Sequence, residues 1–555
     1  MKSNLNLSPY DSNRNLFLLF LLFVAVWLYM LGARTLVPTD EGRYAEMARE
    51  MAATGDWITL RLNGIKYFEK PPLQNWMNAL SFELFGLGDW QARLWTGLCG
   101  LLGIAASAYA AFKMAGRRVA IHTAIILGSS FYWAGFGHIN SLDMGLSAMM
   151  CLALCGLLIA QTENASASQQ RNGMLLCWAG MALATLSKGL IGVVLPGAVL
   201  VIYTLWTQQW QLWKRLHLVK GLLLFFAITV PWFILVWQKN PEHPQFFFIH
   251  EHFQRFTSTV HKRGGAWYYF IVFLVLGIFP WLTLMGQSVW QGLKAHQSGF
   301  QSKKMLLIWV GFIFLFFSVS GSKLPSYILP IFPALAILIA LQLDQVSLRS
   351  LKISAATMGL IGALGLLFLP RVTSLAKSAF ETRLYEAAIP WAMCAALLTM
   401  LGALMALIFL RKNRDYAFLS LAISAFLAGQ AVFLGHDAWG RYNAGIDYVP
   451  QIKALLKPDT PIYAVGQYEQ ALPFYLQRTT ILVEHADELE FGLEQQPELW
   501  IPHREQFIKQ WQEAVAEHKM AIAIFRPSVY EEMLKLGLPM KVIANDPKRV
   551  IVSSH

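Results

Sequence analysis

From Leu16 to about Phe433 the chain is a succession of long apolar runs broken by short polar loops, with little of the alternation expected of surface strands or soluble helices. Leu16 to Leu36 is almost free of charge, and at about 1.5 Å per residue it is long enough to cross the roughly 30 Å of a bilayer's hydrocarbon. It lacks a small-residue cleavage site and further runs follow, so the reading is an uncleaved first span. Further spans are predicted near 91–112, 119–136, 141–160, 172–189, 191–207, 217–237, 267–289, 305–320, 326–343, 353–370, 390–410 and 415–434, thirteen in all. The stretch Leu73 to Gly86 is apolar but short and carries Asn75, Asn78 and Glu83, which predicts a helix lying along the membrane surface.

After Gly435 the pattern changes. Strand-like PIYAV (461–465), TTILVE (479–484) and MAIAIF (520–525) alternate with the helical EQFIKQWQEAVAEH, as in a small α/β domain. The predicted fold is a polytopic α-helical membrane protein of about 13 transmembrane helices with interfacial helices, plus this C-terminal domain. The boundaries are 1–434, including a first outer loop at 37–90, and 435–555.

Composition agrees: of 555 residues 56% are hydrophobic and 14% charged, with mean hydropathy +0.44, which excludes an ordinary soluble enzyme. The formal net charge of +12 sits largely in short loops: Lys113, Arg117 and Arg118; Lys214 and Arg215; Lys294, Lys303 and Lys304; Arg411, Lys412 and Arg414. Such loops stay cytoplasmic, so the charge reports orientation and calls for no nucleic-acid partner. The opposite face receives 37–90, 238–266, the SGSKLPS turn and the tail. All five cysteines (Cys99, Cys151, Cys155, Cys177, Cys394) fall in predicted spans, so neither the loops nor the tail can form a disulfide. Cys151 and Cys155, one helical turn apart, read as small packing residues.

The outer loops carry the candidate chemistry. Asp40 follows the first span and opens a helical stretch with Arg43, Tyr44, Glu46, Arg49 and Glu50; a helix N-cap and a catalytic carboxylate are both open for it. In KYFEKPP two prolines stiffen the backbone after Glu69 and Lys70, while Tyr67 and Phe68 can anchor the loop at the headgroups. Asp143 and Lys188 stand at the outer ends of spans, where charge is costly, although a lysine there can also snorkel. The 238–263 loop adds His250 and Arg255, and SGSKLPSY adds Lys323 and Tyr327. On one face these residues make a site for an anionic amphiphile, with cations for phosphate and carboxylates for a metal or a sugar. Glu69 with His250 suits a borderline divalent ion such as zinc.

Taken in order, PTDEGRYAEMAREMAATGDW, NGIKYFEKPPLQNW, the GHINSLDMG segment, LSKGLIGVVLP, HEHFQRF with HKRGGAWYY, and FSVSGSKLPSYILPIFP resemble the bacterial aminoarabinose lipid A transferases. These are GT-C membrane glycosyltransferases related to protein O-mannosyltransferases. The likeness runs from residue 16 to about 345 and more loosely through the tail, where ALPFYLQR is the familiar phrase. It implies transfer of 4-amino-4-deoxy-L-arabinose from undecaprenyl phosphate to a lipid A phosphate at the periplasmic face of the inner membrane. That would lower the negative charge of lipopolysaccharide and give resistance to cationic peptides. The resemblance places the family's acidic residue after the first span on Asp40, the glutamate and lysine of its YFEKPP motif on Glu69 and Lys70, its second loop aspartate on Asp143, its phosphate-facing lysine on Lys188 and its metal-associated histidine on His250, with Arg255 and Tyr44 as pocket neighbours; Asp40 and Asp143 are then the candidate catalytic carboxylates and Lys70, Lys188 and Arg255 the candidate phosphate contacts. Tyr67, Lys323 and Tyr327 are further substrate contacts, and a monomer is expected. A related transferase moving another sugar, to lipid A, glycan or protein, and more remotely a lipid or ion transporter, stay open.

Overall fold

A computed structural model describes residues 8–247, 264–295 and 299–555. The chain forms two compact units, one from residues up to Ala33 with Arg93–His436, the other from Arg34–Ala92 with Asp437–His555.

The first unit is helical. Each of the thirteen runs read from the sequence falls on a helix or a pair of helices, yet among the described residues nine helices are long and apolar enough to cross a membrane, or ten if one bent pair counts as a single span. The difference has local causes. Arg117–Ser129 has 13 residues, Ile191–Thr207 has 17, and Ala167–Lys188 begins with the polar ASQQRN. The run predicted as one span at 267–289 is broken into Tyr269–Gly277 and Leu282–Lys294, bent by 109° where Pro280 can donate no backbone hydrogen bond.

Two helical segments are buried almost all round, Leu142–Gln161 and Pro325–Gln345, as expected of segments that are apolar on every side. Leu142–Gln161 packs closely on Ala167–Lys188 through small residues: a Cβ added at Gly156 would lie 2.6 Å from the Gly173 carbonyl oxygen, and one at Gly180 would lie 2.6 Å from the Ala153 nitrogen. Backbones this close fix the register of the pair. Cys151 and Cys155 are buried here with their sulfurs 3.7 Å apart, in line with a packing role.

The second unit joins the first loop, 37–90, which the hydrophobic pattern groups with the membrane domain, to the C-terminal residues. Polar bonds across long sequence separations cause the grouping. Leu36 N–H donates to the Tyr475 hydroxyl at 2.7 Å, which donates to Asp89 at 2.8 Å, and the Asn63 side chain bonds the Thr480 backbone in both directions at 2.7 Å.

The loop supplies the helix Asp40–Thr54, a two-stranded hairpin of β1 (Arg61–Leu62) and β2 (Ile65–Lys66), and the helix Leu73–Phe85. At 13 residues that last helix is about 20 Å long, too short to cross a bilayer. It buries Gln74, Asn75, Asn78 and Ser81 and exposes Leu80, Leu84 and Phe85, the face expected of a helix lying on a membrane.

The C-terminal residues form a six-stranded sheet, β3 (Ile462–Val465), β4 (Ile481–Val483), β5 (Trp500–Ile501), β6 (Ile522–Phe525), β7 (Lys541–Asn545) and β8 (Val550–Ser553), in the order β5-β4-β3-β6-β8-β7. Pairing is parallel from β5 to β6 and antiparallel through β8 and β7. β3 and β6 are buried at every position, as parallel strands covered on both faces must be. The helix Arg504–Ala516 lays Phe507 and Trp511, one turn apart, onto the sheet.

Candidate active site

Each unit holds one cluster of the predicted residues. In the first unit Asp143 lies in the first turn of Leu142–Gln161 and Lys188 is the last residue of Ala167–Lys188. Helix dipoles favour an anion at the one place and a cation at the other. The two side chains form an ion pair, with Asp143 8% and Lys188 17% exposed, and the Lys188 ammonium stands 4.8 Å from the centre of the Tyr327 ring. The ion pair and the Tyr327 ring together hold the Lys188 ammonium in place. Lys323 donates to the Gly265 and Ala266 carbonyls at 3.1 and 3.2 Å, tying its turn to the segment before Tyr269.

The cluster in the second unit is organised by Arg43. Its guanidinium pairs with Glu488 at 2.7 Å, bonds the Tyr67 hydroxyl at 3.2 Å and lies 3.8 Å from Asp40. Asp40 caps nothing: Thr39 is the N-cap residue, with no side-chain capping bond, and the Asp40 side chain is 45% exposed in the first helical turn. That leaves its carboxylate available for chemistry. Tyr44 and Tyr67 are buried. Glu69 and Lys70 pair at 3.5 Å, and the Lys70 ammonium also donates to the Glu69 carbonyl at 2.9 Å. Burial raises the Glu488 carboxyl above the ordinary range; Arg43 draws it back, and the nearby Glu69 carboxylate adds to the rise. Glu488, Tyr67 and Glu69 thus form one electrostatic group with Arg43, which Asp40 borders at 3.8 Å.

Glu50 holds the hairpin that leads into this group. Its carboxyl accepts the Asn63 and Gly64 N–H groups at 2.6 and 2.8 Å, at the hairpin turn where both residues have positive φ, four residues before Tyr67 begins the YFEKPP segment. Burial first, then the neighbouring Glu46 carboxylate, push the Glu50 pKa up to about 8 from 4.5. A raised carboxyl pKa means that the folded state keeps a proton the unfolded chain has lost. The resulting stability is fully present below about pH 4.5 and is lost as pH rises through about 8. The thermal midpoint of the detergent-purified protein is expected to fall between pH 6 and 9. Glu50→Gln should flatten that slope and lower the midpoint at pH 6, having one oxygen for two donors; an unchanged slope would remove Glu50 from this role.

His250 and Arg255 lie outside the described residues. Of the proposed metal pair only Glu69 can be placed, and its carboxylate can supply one oxygen ligand. No group of three His, Cys, Asp or Glu side chains poised for a metal occurs among the described residues. Arg43 and Glu488 were not picked as site residues from the sequence. Arg43 had a local signal, three residues after Asp40 on the same helical face. Glu488 had none, because only the folding of the loop onto the C-terminal residues brings it there.

Apolar helices of bilayer-crossing length, an ion pair held at two helix ends and an α/β unit rich in polar side chains describe a polytopic membrane protein with a second, non-membrane unit. A family model described as Dolichyl-phosphate-mannose-protein mannosyltransferase matches residues 69–237, and one described as Aminoarabinose transferase C-terminal domain matches residues 448–554. The chain is 30% identical over 500 residues, 86% of each chain, to the undecaprenyl phosphate-alpha-4-amino-4-deoxy-L-arabinose arabinosyl transferase of Pectobacterium carotovorum subsp. carotovorum. It is 33% identical to the protein of the same name from Edwardsiella ictaluri, where the alignment spans 58% of this chain and 58% of that protein. The crystal structure of ArnT from Cupriavidus metallidurans bound to undecaprenyl phosphate is similar at 41% identity and a TM-score of 0.92, covering 98% of this chain and 99% of that one. The chain belongs to the family of undecaprenyl phosphate-aminoarabinose arabinosyl transferases.

Proposed function

We propose that this protein transfers 4-amino-4-deoxy-L-arabinose from undecaprenyl phosphate to a phosphate of lipid A, as a monomer, at the periplasmic face of the bacterial inner membrane. The observation that carries the reading is the likeness, over nearly the whole of both chains, to the Cupriavidus protein, whose structure holds undecaprenyl phosphate. The lipid A phosphate is already anionic, so it needs no base. One of its oxygens attacks the anomeric carbon, the bond from that carbon to the undecaprenyl phosphate oxygen breaks, and the configuration inverts. Catalysis is then alignment and charge management.

In this reading Asp40, with its carboxylate half-exposed, serves the amino sugar or the positive charge that develops on its ring. Lys70, Lys188 and Arg255 neutralise phosphate, and Asp143 holds the Lys188 ammonium in place. Tyr44, Tyr67, Lys323 and Tyr327 shape the surroundings. A divalent ion, zinc, held by Glu69 and His250 would add positive charge beside the leaving phosphate. Metal analysis of the purified protein tests that part: zinc is expected near one per chain and below about a fifth of that in Glu69→Gln or His250→Ala, and equal metal in all three would remove the site.

Mass analysis of lipid A tests the function itself, using cells that make the donor with and without this protein. Aminoarabinose-bearing lipid A is expected only with it. A different sugar on the same phosphate would reassign the donor, and unmodified lipid A would contradict the reading.

A further inference from the structure

An apolar groove lies in the first unit, between the helices Asn13–Tyr29, Asp89–Ala115, Arg117–Ser129 and Arg414–Ala444. Its volume is about 880 Å³, within the roughly 300–1,000 Å³ of ligand pockets, and its lining is almost wholly hydrocarbon, including Phe20, Phe23, Ala105, Ile121 and Phe426. Along the first helix it runs from Leu16 to Val26, about 15 Å at 1.5 Å per residue. That is the depth of one leaflet of a bilayer whose hydrocarbon is about 30 Å thick.

One end of the groove is basic. Arg117 lies one turn before Ile121 on the face that also presents Ile125 and Ser129 to the groove, so its guanidinium stands at the mouth. It is exposed, donates to the Asn13 side chain at 2.5 Å and to the carbonyl of the groove residue Tyr10 at 3.5 Å, and has no carboxylate partner among the described residues. The neighbouring Arg118 is different, since Asp344 and Asp415 neutralise it. A cation with no carboxylate partner among the described residues, above an apolar slot one leaflet deep, matches a lipid with an anionic head and hydrocarbon chains.

We propose that this groove binds an anionic phospholipid of the bilayer, its phosphate at Arg117 and an acyl chain between the helices, as a site separate from the residues assigned to sugar transfer. The test is native mass spectrometry of the full-length protein released from nanodiscs containing equal phosphatidylglycerol and phosphatidylcholine. The wild type is expected to retain phosphatidylglycerol in preference. Arg117→Gln should cut that preference at least about tenfold, Ala105→Trp should cut retention of both lipids by filling the slot, and Lys412→Gln, a basic change in another loop, should leave both as they are. Equal retention of the two lipids by the wild type would overturn the proposal, as would equal effects of Arg117→Gln and Lys412→Gln. So would ready displacement of phosphatidylglycerol by equimolar undecaprenyl phosphate, which would make the groove a polyprenyl site.

Discussion

Asp40→Asn is expected to lower sugar transfer by roughly 10²–10³-fold, the loss seen when one electrostatic contact to a transition state is removed, while leaving the thermal midpoint of the purified protein within a degree or two of wild type. The structure separates these effects. Asp40 supports no capping bond, its side chain is 45% exposed, and among the described residues its one ion contact, to Arg43, is long at 3.8 Å. Arg43 keeps its 2.7 Å pair with Glu488 and its bond to Tyr67 when Asp40 becomes neutral. An isosteric amide at a half-exposed helix start costs little stability, so lost turnover in a stable variant would report chemistry. Near-normal turnover would take Asp40 out of the reaction.

Lys188→Met is the second large effect, and here activity and stability change together. The change leaves the Asp143 carboxylate, 8% exposed, without its ammonium, and stranding one partner of a buried pair costs about 3–5 kcal/mol. The double variant Asp143→Asn/Lys188→Met removes both charges and should recover most of the lost thermal stability. It should not recover transfer, because the cation proposed to meet phosphate is still missing. Recovery of both would make the pair a packing device.

Reading the sequence located these residues but not all of their relations. The apolar runs placed the helices because bilayer-crossing length leaves a long, contiguous signal, and the runs that fell short of a full span, such as Arg117–Ser129, are those whose local length or polarity weakens it. β3, β4 and β6 were legible as apolar strands between turns, whereas β5 has two residues and pairs only because β4 is beside it. Asp40, Glu69, Lys70, Asp143 and Lys188 stood out as charges in loops or at helix ends of a hydrophobic chain. The ion pair between Asp143 and Lys188 was not legible, because it depends on glycine contacts that set the register of two helices. Glu488 was invisible for a like reason: its role comes from Arg43, which reaches it only through the tertiary fold.

Sugar transfer between two lipid phosphates is assigned to these side chains. Its most direct test is a reconstituted assay with purified protein, undecaprenyl phosphate carrying aminoarabinose, and lipid A, followed by mass spectrometry of both lipids over time. Equimolar sugar-bearing lipid A and free undecaprenyl phosphate are expected with the wild type, and neither above background with Asp40→Asn. Undecaprenyl phosphate released without modified lipid A, or modified lipid A formed at the wild-type rate by Asp40→Asn, would contradict the assignment.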